Sequence, residues 1–216
     1  KKNVTGLKAD SFLGESRLEF DAPDGDRFAL VEADPGGRKA WTGDGIGGDE
    51  GILGFHGARF RLRDVAATGE LLQFMGYDRD ETDGAVTRYR IDGGNAARTI
   101  DLEERPDADL ASQGAGSVHH IAFAVEDRAA QLKVRAALMD TGYQVTPVID
   151  RDYFWAIYFR TPGGVLFEIA TNEPGFDRDE DTAHLGEALK LPERYRPFRN
   201  QIEKRAVAFG ELESLT

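Results

Sequence analysis

The feature that most constrains this chain is that it repeats itself. Residues 55–64, Phe-His-Gly-Ala-Arg-Phe-Arg-Leu-Arg-Asp, align with residues 118–127, Val-His-His-Ile-Ala-Phe-Ala-Val-Glu-Asp. A second self-match lays one strand-turn-strand pattern on another, with Pro23 on Pro162, Gly25 on Gly164, Phe28 on Phe167 and Leu30 on Ile169. Such self-similarity means that one supersecondary unit is used several times. The unit is clearest toward the C-terminal end. A strand over 118–125 leads into a helix N-capped by Asp127, with Leu132, Ala136 and Met139 on one face and Gly142 at its end. Strands near 143–148, 153–160 and 165–171 complete a β-α-β-β-β order.

Residues 54–104 repeat that order: a strand over 54–62, a helix over 64–75, and strands near Tyr77, over 85–91 and over 97–103. Asp92-Gly93-Gly94-Asn95 supplies a turn. Residues 10–33 read as the last two strands of an earlier unit. The expected class is therefore α+β, built from repeated βαβββ modules with curled mixed sheets. The expected organisation is a remnant of an N-terminal module over 1–34, a Gly-rich linker over 35–51, a two-module domain over 52–173 (modules 54–104 and 117–172) and a tail over 174–216. Helices are expected in the tail at 182–190 and 197–209. Lys1-Lys2-Asn3 has no initiator methionine and runs almost at once into a strand pattern, so further residues are expected before it.

Composition narrows the partners. The formal net charge is −12 over 216 residues and the isoelectric point about 4.8. That excludes a general nucleic-acid binder, which would show a basic face, and docking on an anionic membrane. No apolar run reaches membrane-spanning length and no signal peptide is visible. The absence of cysteine excludes disulfides, thiolate zinc sites and a cysteine nucleophile, and fits a reducing, cytoplasmic setting. A homo-oligomer is compatible with all of this.

The chemistry lies in two strands. Side chains alternate across a strand. Over 118–125, His120, Ala122 and Ala124 share one face, and His119, Ile121, Phe123 and Val125 share the other. Over 165–171, Phe167 and Ile169 suit a helix-packing face, which puts Leu166, Glu168 and Ala170 opposite. Over 153–160, Phe154, Ala156, Tyr158 and Arg160 share a face. A curled sheet would bring His120, Tyr158 and Glu168 together inside it. A buried carboxylate needs a partner. A metal that also takes histidine is one; a salt bridge from Glu168 to Arg151 or Arg160 is another. His120 also reads as a core histidine bonded to backbone, Tyr158 as a core aromatic and Arg151 as a surface ion pair worth little. His56 aligns with His119, and Gly57 takes the register of His120, so His56 is not expected to be a ligand.

These residues carry a resemblance. The βαβββ units and the His…Glu pair resemble the vicinal oxygen chelate superfamily (glyoxalases, bleomycin-resistance proteins and dioxygenases). Residues 116–192 more narrowly resemble its ring-cleaving hydroquinone and catechol dioxygenases, through Gly116-Ser117-Val118-His119-His120-Ile121-Ala122-Phe123, Val145-Thr146-Pro147-Val148-Ile149-Asp150-Arg151, Ile157-Tyr158-Phe159-Arg160, Pro162-Gly163-Gly164-Val165-Leu166-Phe167-Glu168-Ile169-Ala170-Thr171 and Leu185-Gly186-Glu187-Ala188-Leu189-Lys190-Leu191-Pro192. The resemblance implies an extradiol-type enzyme that holds Fe(II), or in some relatives Mn(II), with two histidines and one glutamate. His120 and Glu168 are two of those ligands by resemblance. The third belongs to a first module that this chain does not contain, and Ala29 stands at the Glu168 place of the partial module. Resemblance also gives His119, Arg151 and Tyr158 the task of hydrogen-bonding substrate or reduced oxygen. The implied partners are a dihydroxylated aromatic and dioxygen. The alternative is a non-catalytic small-molecule-binding protein of the bleomycin-resistance kind. An isomerase would need a further metal-bound carboxylate, and none stands in register over 54–62.

Overall fold

A computed structural model describes residues 4–93 and 95–213. Lys1-Lys2-Asn3 and Gly94 of the expected turn lie outside the described residues, as do residues 214–216. The chain divides into two compact units, one of residues 1–121 with 159–167, the other of 122–158 with 168–216.

The first unit opens on an antiparallel sheet of β1 (Thr5–Phe12), β2 (Glu15–Asp21) and β3 (Arg27–Val31). The sequence reading expected two strands here. The extra one, β1, is exposed along its length except at Phe12, so it carries no apolar period to mark it. The turn after β2 is closed by Ala22 N–H donating to the Asp26 carbonyl and Gly25 N–H to that of Ala22.

The βαβββ module follows: β4 (Gly57–Leu62), α1 (Ala66–Phe74), β5 (Asp78–Asp83), β6 (Val86–Arg90) and β7 (Thr99–Glu104). The sheet order is β4-β7-β6-β5, with β4 parallel to β7 and the other pairs antiparallel. Alternation along β4 and β7 buries Phe60, Leu62, Ile100 and Leu102 with Leu71 and Leu72 of α1. Residues 159–167 pack into this core: the Phe167 ring lies 5.7 Å from both Phe60 and Phe159, and Gly163 N–H donates to Thr68 Oγ1 at 3.2 Å.

The second module runs β8 (Ile121–Val125), α2 (Arg128–Asp140), β9 (Ile149–Asp150), β10 (Phe154–Arg160) and β11 (Leu166–Pro174), in the order β8-β11-β10-β9. Both modules thus set their first strand beside their last, which makes the class α+β with mixed sheets. Their helices also end alike. Tyr77 N–H reaches the Leu72 carbonyl and Tyr143 N–H that of Leu138, across Gly76 and Gly142 at positive φ.

Several elements differ from expectation. β8 begins at Ile121, so His119 and His120 precede the ladder rather than open it. Residues 143–148 form no strand. Tyr158 N–H is taken by the Thr146 hydroxyl, and Pro147 has no N–H to give, which leaves a two-residue β9. The α2 face expected inward is outward, with Leu132 48% and Met139 47% exposed. Gln131 and Leu138 are buried instead. The Gln131 amide donates to the carbonyls of Trp155 (2.7 Å) and Ile169 (2.8 Å), so a polar residue holds the slot that an apolar count gave to Leu132. In the tail, the helix expected over 182–190 is one 3-10 turn, Thr182–His184. A further 3-10 segment, Glu193–Phe198, leads into α3 (Arg199–Glu213).

Candidate functional site

β10 and β11 set the second module's inward face. Glu168 is flanked in sequence by Phe167 and Ile169, both buried in cores, and is itself only 3% exposed. Its face-mate across the hairpin is Tyr158, half-buried. Burial raises the Tyr158 phenol above the usual tyrosine range, and the Glu168 carboxylate acts in the same direction, while Arg151 opposes both. Arg151 Nη2 donates to the Tyr158 hydroxyl at 3.2 Å, with its guanidinium 5.4 Å from the ring centroid. Arg151 is thus tied to the phenol. The tail holds the turn that carries it: Phe176 stacks on Tyr153 at 5.4 Å, Tyr153 O–H donates to Asp179, and Arg178 donates to the Asp152 carbonyl.

The histidines stand in the segment entering β8. His119 is exposed and His120 half-buried. Their Nδ1 atoms are 2.9 Å apart and the rings meet edge to face at 5.2 Å. One Nδ1 must therefore carry a proton and donate to the other. Ser117 braces the approach, its hydroxyl donating to the Gly114 carbonyl and accepting from Gly114 N–H.

The first module places different chemistry on the equivalent face. Asp101 lies between core residues Ile100 and Leu102, as Glu168 lies between Phe167 and Ile169. Arg88 corresponds to Tyr158. Its Nε and Nη2 donate to Asp101 at 2.7 and 3.1 Å, and its Nη1 lies 2.9 Å from Glu15 Oε1. At the His120 register stands Gly57, where a Cβ would come within 2.4 Å of the Thr99 carbonyl oxygen, so a side chain cannot occupy that place. His56 bonds Glu15 at 2.8 Å. Burial would raise the Glu15 carboxyl, but hydrogen bonds from Arg88 and Arg17, with His56 nearby, hold it at about 2. The sequence reading missed this cluster. Its signal was present as charges alternating with core residues at Arg59, Phe60, Arg61 and Leu62.

For a metal, His120 and Glu168 are donors of suitable kind, an imidazole and a buried carboxylate. Among the described residues, no three of His, Asp and Glu are grouped to hold a metal ion. No helix among the described residues is long and apolar enough to cross a membrane.

Strand order and the repeated module together define a class. The glyoxalase/bleomycin resistance protein/dioxygenase superfamily model matches residues 27–169, and the chain belongs to that superfamily. Within it, the chain is 42% identical over 97% of its length to MhqO of Bacillus subtilis, a protein provisionally named a ring-cleaving dioxygenase. It is 31% identical over 94% of its length to the chlorohydroquinone/hydroquinone 1,2-dioxygenase of Sphingobium indicum. A crystal structure from B. subtilis, also provisionally named a dioxygenase, matches 94% of the chain and 64% of its own with a TM-score of 0.86 at 41% identity. The chain spans 66% of the length of MhqO and 64% of the hydroquinone enzyme.

Proposed function

We propose that the protein to which this chain belongs is a ring-cleaving dioxygenase of the extradiol type, acting on a hydroquinone- or catechol-like ring. The observation that carries the reading is the buried Glu168 beside the Tyr158–Arg151 pair, on a scaffold whose relatives bear ring-cleaving names. His120 and Glu168 would hold the metal, which we take to be Fe(II), with Mn(II) as the alternative. Bound there, a divalent metal supplies Lewis acidity toward a ring oxygenate and a meeting point for dioxygen. The chain's own residues do the rest. Arg151 stays cationic beside a developing oxyanion and orients the Tyr158 hydroxyl by donating to it. The raised Tyr158 phenol keeps its proton and can donate it as a hydrogen bond to a ring or dioxygen-derived oxygen. His119 shares a proton with His120 through their Nδ1 atoms and can present Nε2–H to the substrate. Both atoms of dioxygen enter the product as one ring carbon–carbon bond breaks.

The test is metal content with turnover. After anaerobic Fe(II) loading, the natural protein should retain iron and consume oxygen with substituted hydroquinones. His120→Ala and Glu168→Ala should each lose bound iron, and Tyr158→Phe should keep iron but turn over more slowly. Stoichiometric iron in both alanine variants would remove the assigned ligands. Iron binding without oxygen uptake across a panel of dihydroxybenzenes would favour a ligand-binding protein of the same fold.

A further inference from the structure

The first unit gathers three guanidinium groups and two carboxylates around one aromatic ring. Arg17, Arg59 and Arg88 lie 4.6, 4.5 and 5.5 Å from the centroid of Phe12. Glu15 and Asp101 are the carboxylates among them. This count leaves one positive charge in excess, and the hydrogen bonds show where it resides. Arg88 takes both Asp101 oxygens and one Glu15 oxygen. Arg17 Nη2 takes the other Glu15 oxygen at 2.5 Å. Arg17 Nε is then buried with no acceptor among the described residues, and so is Arg59 Nη2. Both cations lie near Asp101 Oδ2, at 3.6 and 3.7 Å, too far for a hydrogen bond. A buried N–H without an acceptor is costly, and a charged acceptor is the strongest remedy.

We propose that this face is a binding site for a small oxyanion, of carboxylate or phosphate chemistry, which accepts from Arg17 Nε and Arg59 Nη2. Arg17 forms its floor, with a side chain only 6% exposed. Arg59 forms its rim, with a side chain 26% exposed overall although Nη2 itself is buried. Within its own module the site takes the strand positions equivalent to those of Tyr158 and Glu168, with Arg59 standing where the second module has Ala122. It neither uses the proposed metal ligands nor depends on the ring-cleaving reading.

The experiment follows the protein's thermal midpoint and the Arg17 Nε–H signal in 1H–15N spectra. Inorganic phosphate and acetate are titrated separately at constant ionic strength, with chloride as the balance. A ligand that binds only the folded state raises the midpoint saturably in its logarithm. At least one anion should do so and should move the Arg17 signal, and the tighter of the two names the chemistry. Arg59→Gln should weaken that anion at least tenfold. Arg59→Lys, which keeps the charge and loses the planar fork, should fall between and guards against a folding defect. Glu168→Gln should leave anion binding unchanged, so this site and the proposed metal site can fail separately. No saturable shift with either anion, or an equal shift in Arg59→Gln, overturns the proposal.

Discussion

Two modules of one plan meet the same problem in opposite ways. Each places an acid between two core residues in its last strand, Asp101 in one and Glu168 in the other. Burying a carboxylate is costly unless it is paired and hydrogen-bonded. The first module supplies the pairing from within: Arg88 on the neighbouring strand takes both Asp101 oxygens, and Arg17 and Arg59 stand beside them. The second module puts a phenol where Arg88 would be, and alanines at 122 and 124 in the register of Arg59 and Arg61. A carboxylate saturated by guanidinium has little left for a metal. Duplicated scaffolds can therefore diverge by exchanging the inward residues of β-strands while the helix-facing core stays the same.

The largest test of that contrast is the arginine itself. Arg88→Met would leave Asp101 and Glu15 buried without their main cation. It should cost about 3–5 kcal/mol, as breaking a buried ion pair does. Tyr158→Phe at the equivalent place of the second module should cost about 1 kcal/mol, one hydrogen bond to a charged group set against a better-solvated partner. Urea denaturation of the two variants measures the difference. Equal costs would mean that the two faces do not differ in the way their hydrogen bonds indicate.

Acid gives the next effect. Glu15 titrates at about 2 in the fold against 4.5 as an ordinary glutamate. A carboxyl depressed on folding contributes stability that is complete above its unfolded value and is lost as pH falls through the folded one. The contribution should therefore fade between about pH 4.5 and 2, amounting to roughly 2 kcal/mol after allowance for partial solvent access. Glu103 is also lowered, by Arg105 and Arg61 against its burial, and adds to the slope. Glu15→Gln should flatten the acid limb of the stability curve relative to the parent. An unchanged limb would show that the cluster does not hold the Glu15 charge.

The repeat was legible because apolar positions recur: Phe60 with Phe123, Phe28 with Phe167, Leu30 with Ile169. The cap and closing glycine of α2, Asp127 and Gly142, were legible because local geometry needs them. The expected inward residues of the second module, Tyr158 and Glu168, could be listed from strand parity alone. What escaped were features whose partners lie far along the chain. β1 has no buried face of its own and is defined by pairing with β2. Gln131 is buried because two distant carbonyls accept its amide, which apolar periodicity does not register. The guanidinium cluster combines residues of β2, β4, β6 and β7, each of which reads alone as an ordinary surface charge.

The smallest expected effect lies at the two helix entries, where the modules differ by one turn of detail. Asp127 is a true N-cap of α2, extended in backbone, with its side chain accepting from Ala130 N–H at 2.8 Å. In the first module Asp64 accepts from Ala66 N–H at 2.8 Å, two residues on, while the cap position of α1 is Val65, which offers no side-chain oxygen. An aspartate at the cap satisfies an orphan donor and places negative charge against the positive end of the helix, whereas an Asx contact ahead of the cap shapes the turn and supports the helix less. Asp127→Ala should therefore cost about 1 kcal/mol and Asp64→Ala about half of that. Asp127→Asn should recover most of the loss, because the amide oxygen can still accept. Chemical denaturation of the three variants reads the order directly. If Asp64→Ala proved as costly as Asp127→Ala, the helix entries would be equivalent, and the divergence of the modules would be confined to their inward faces.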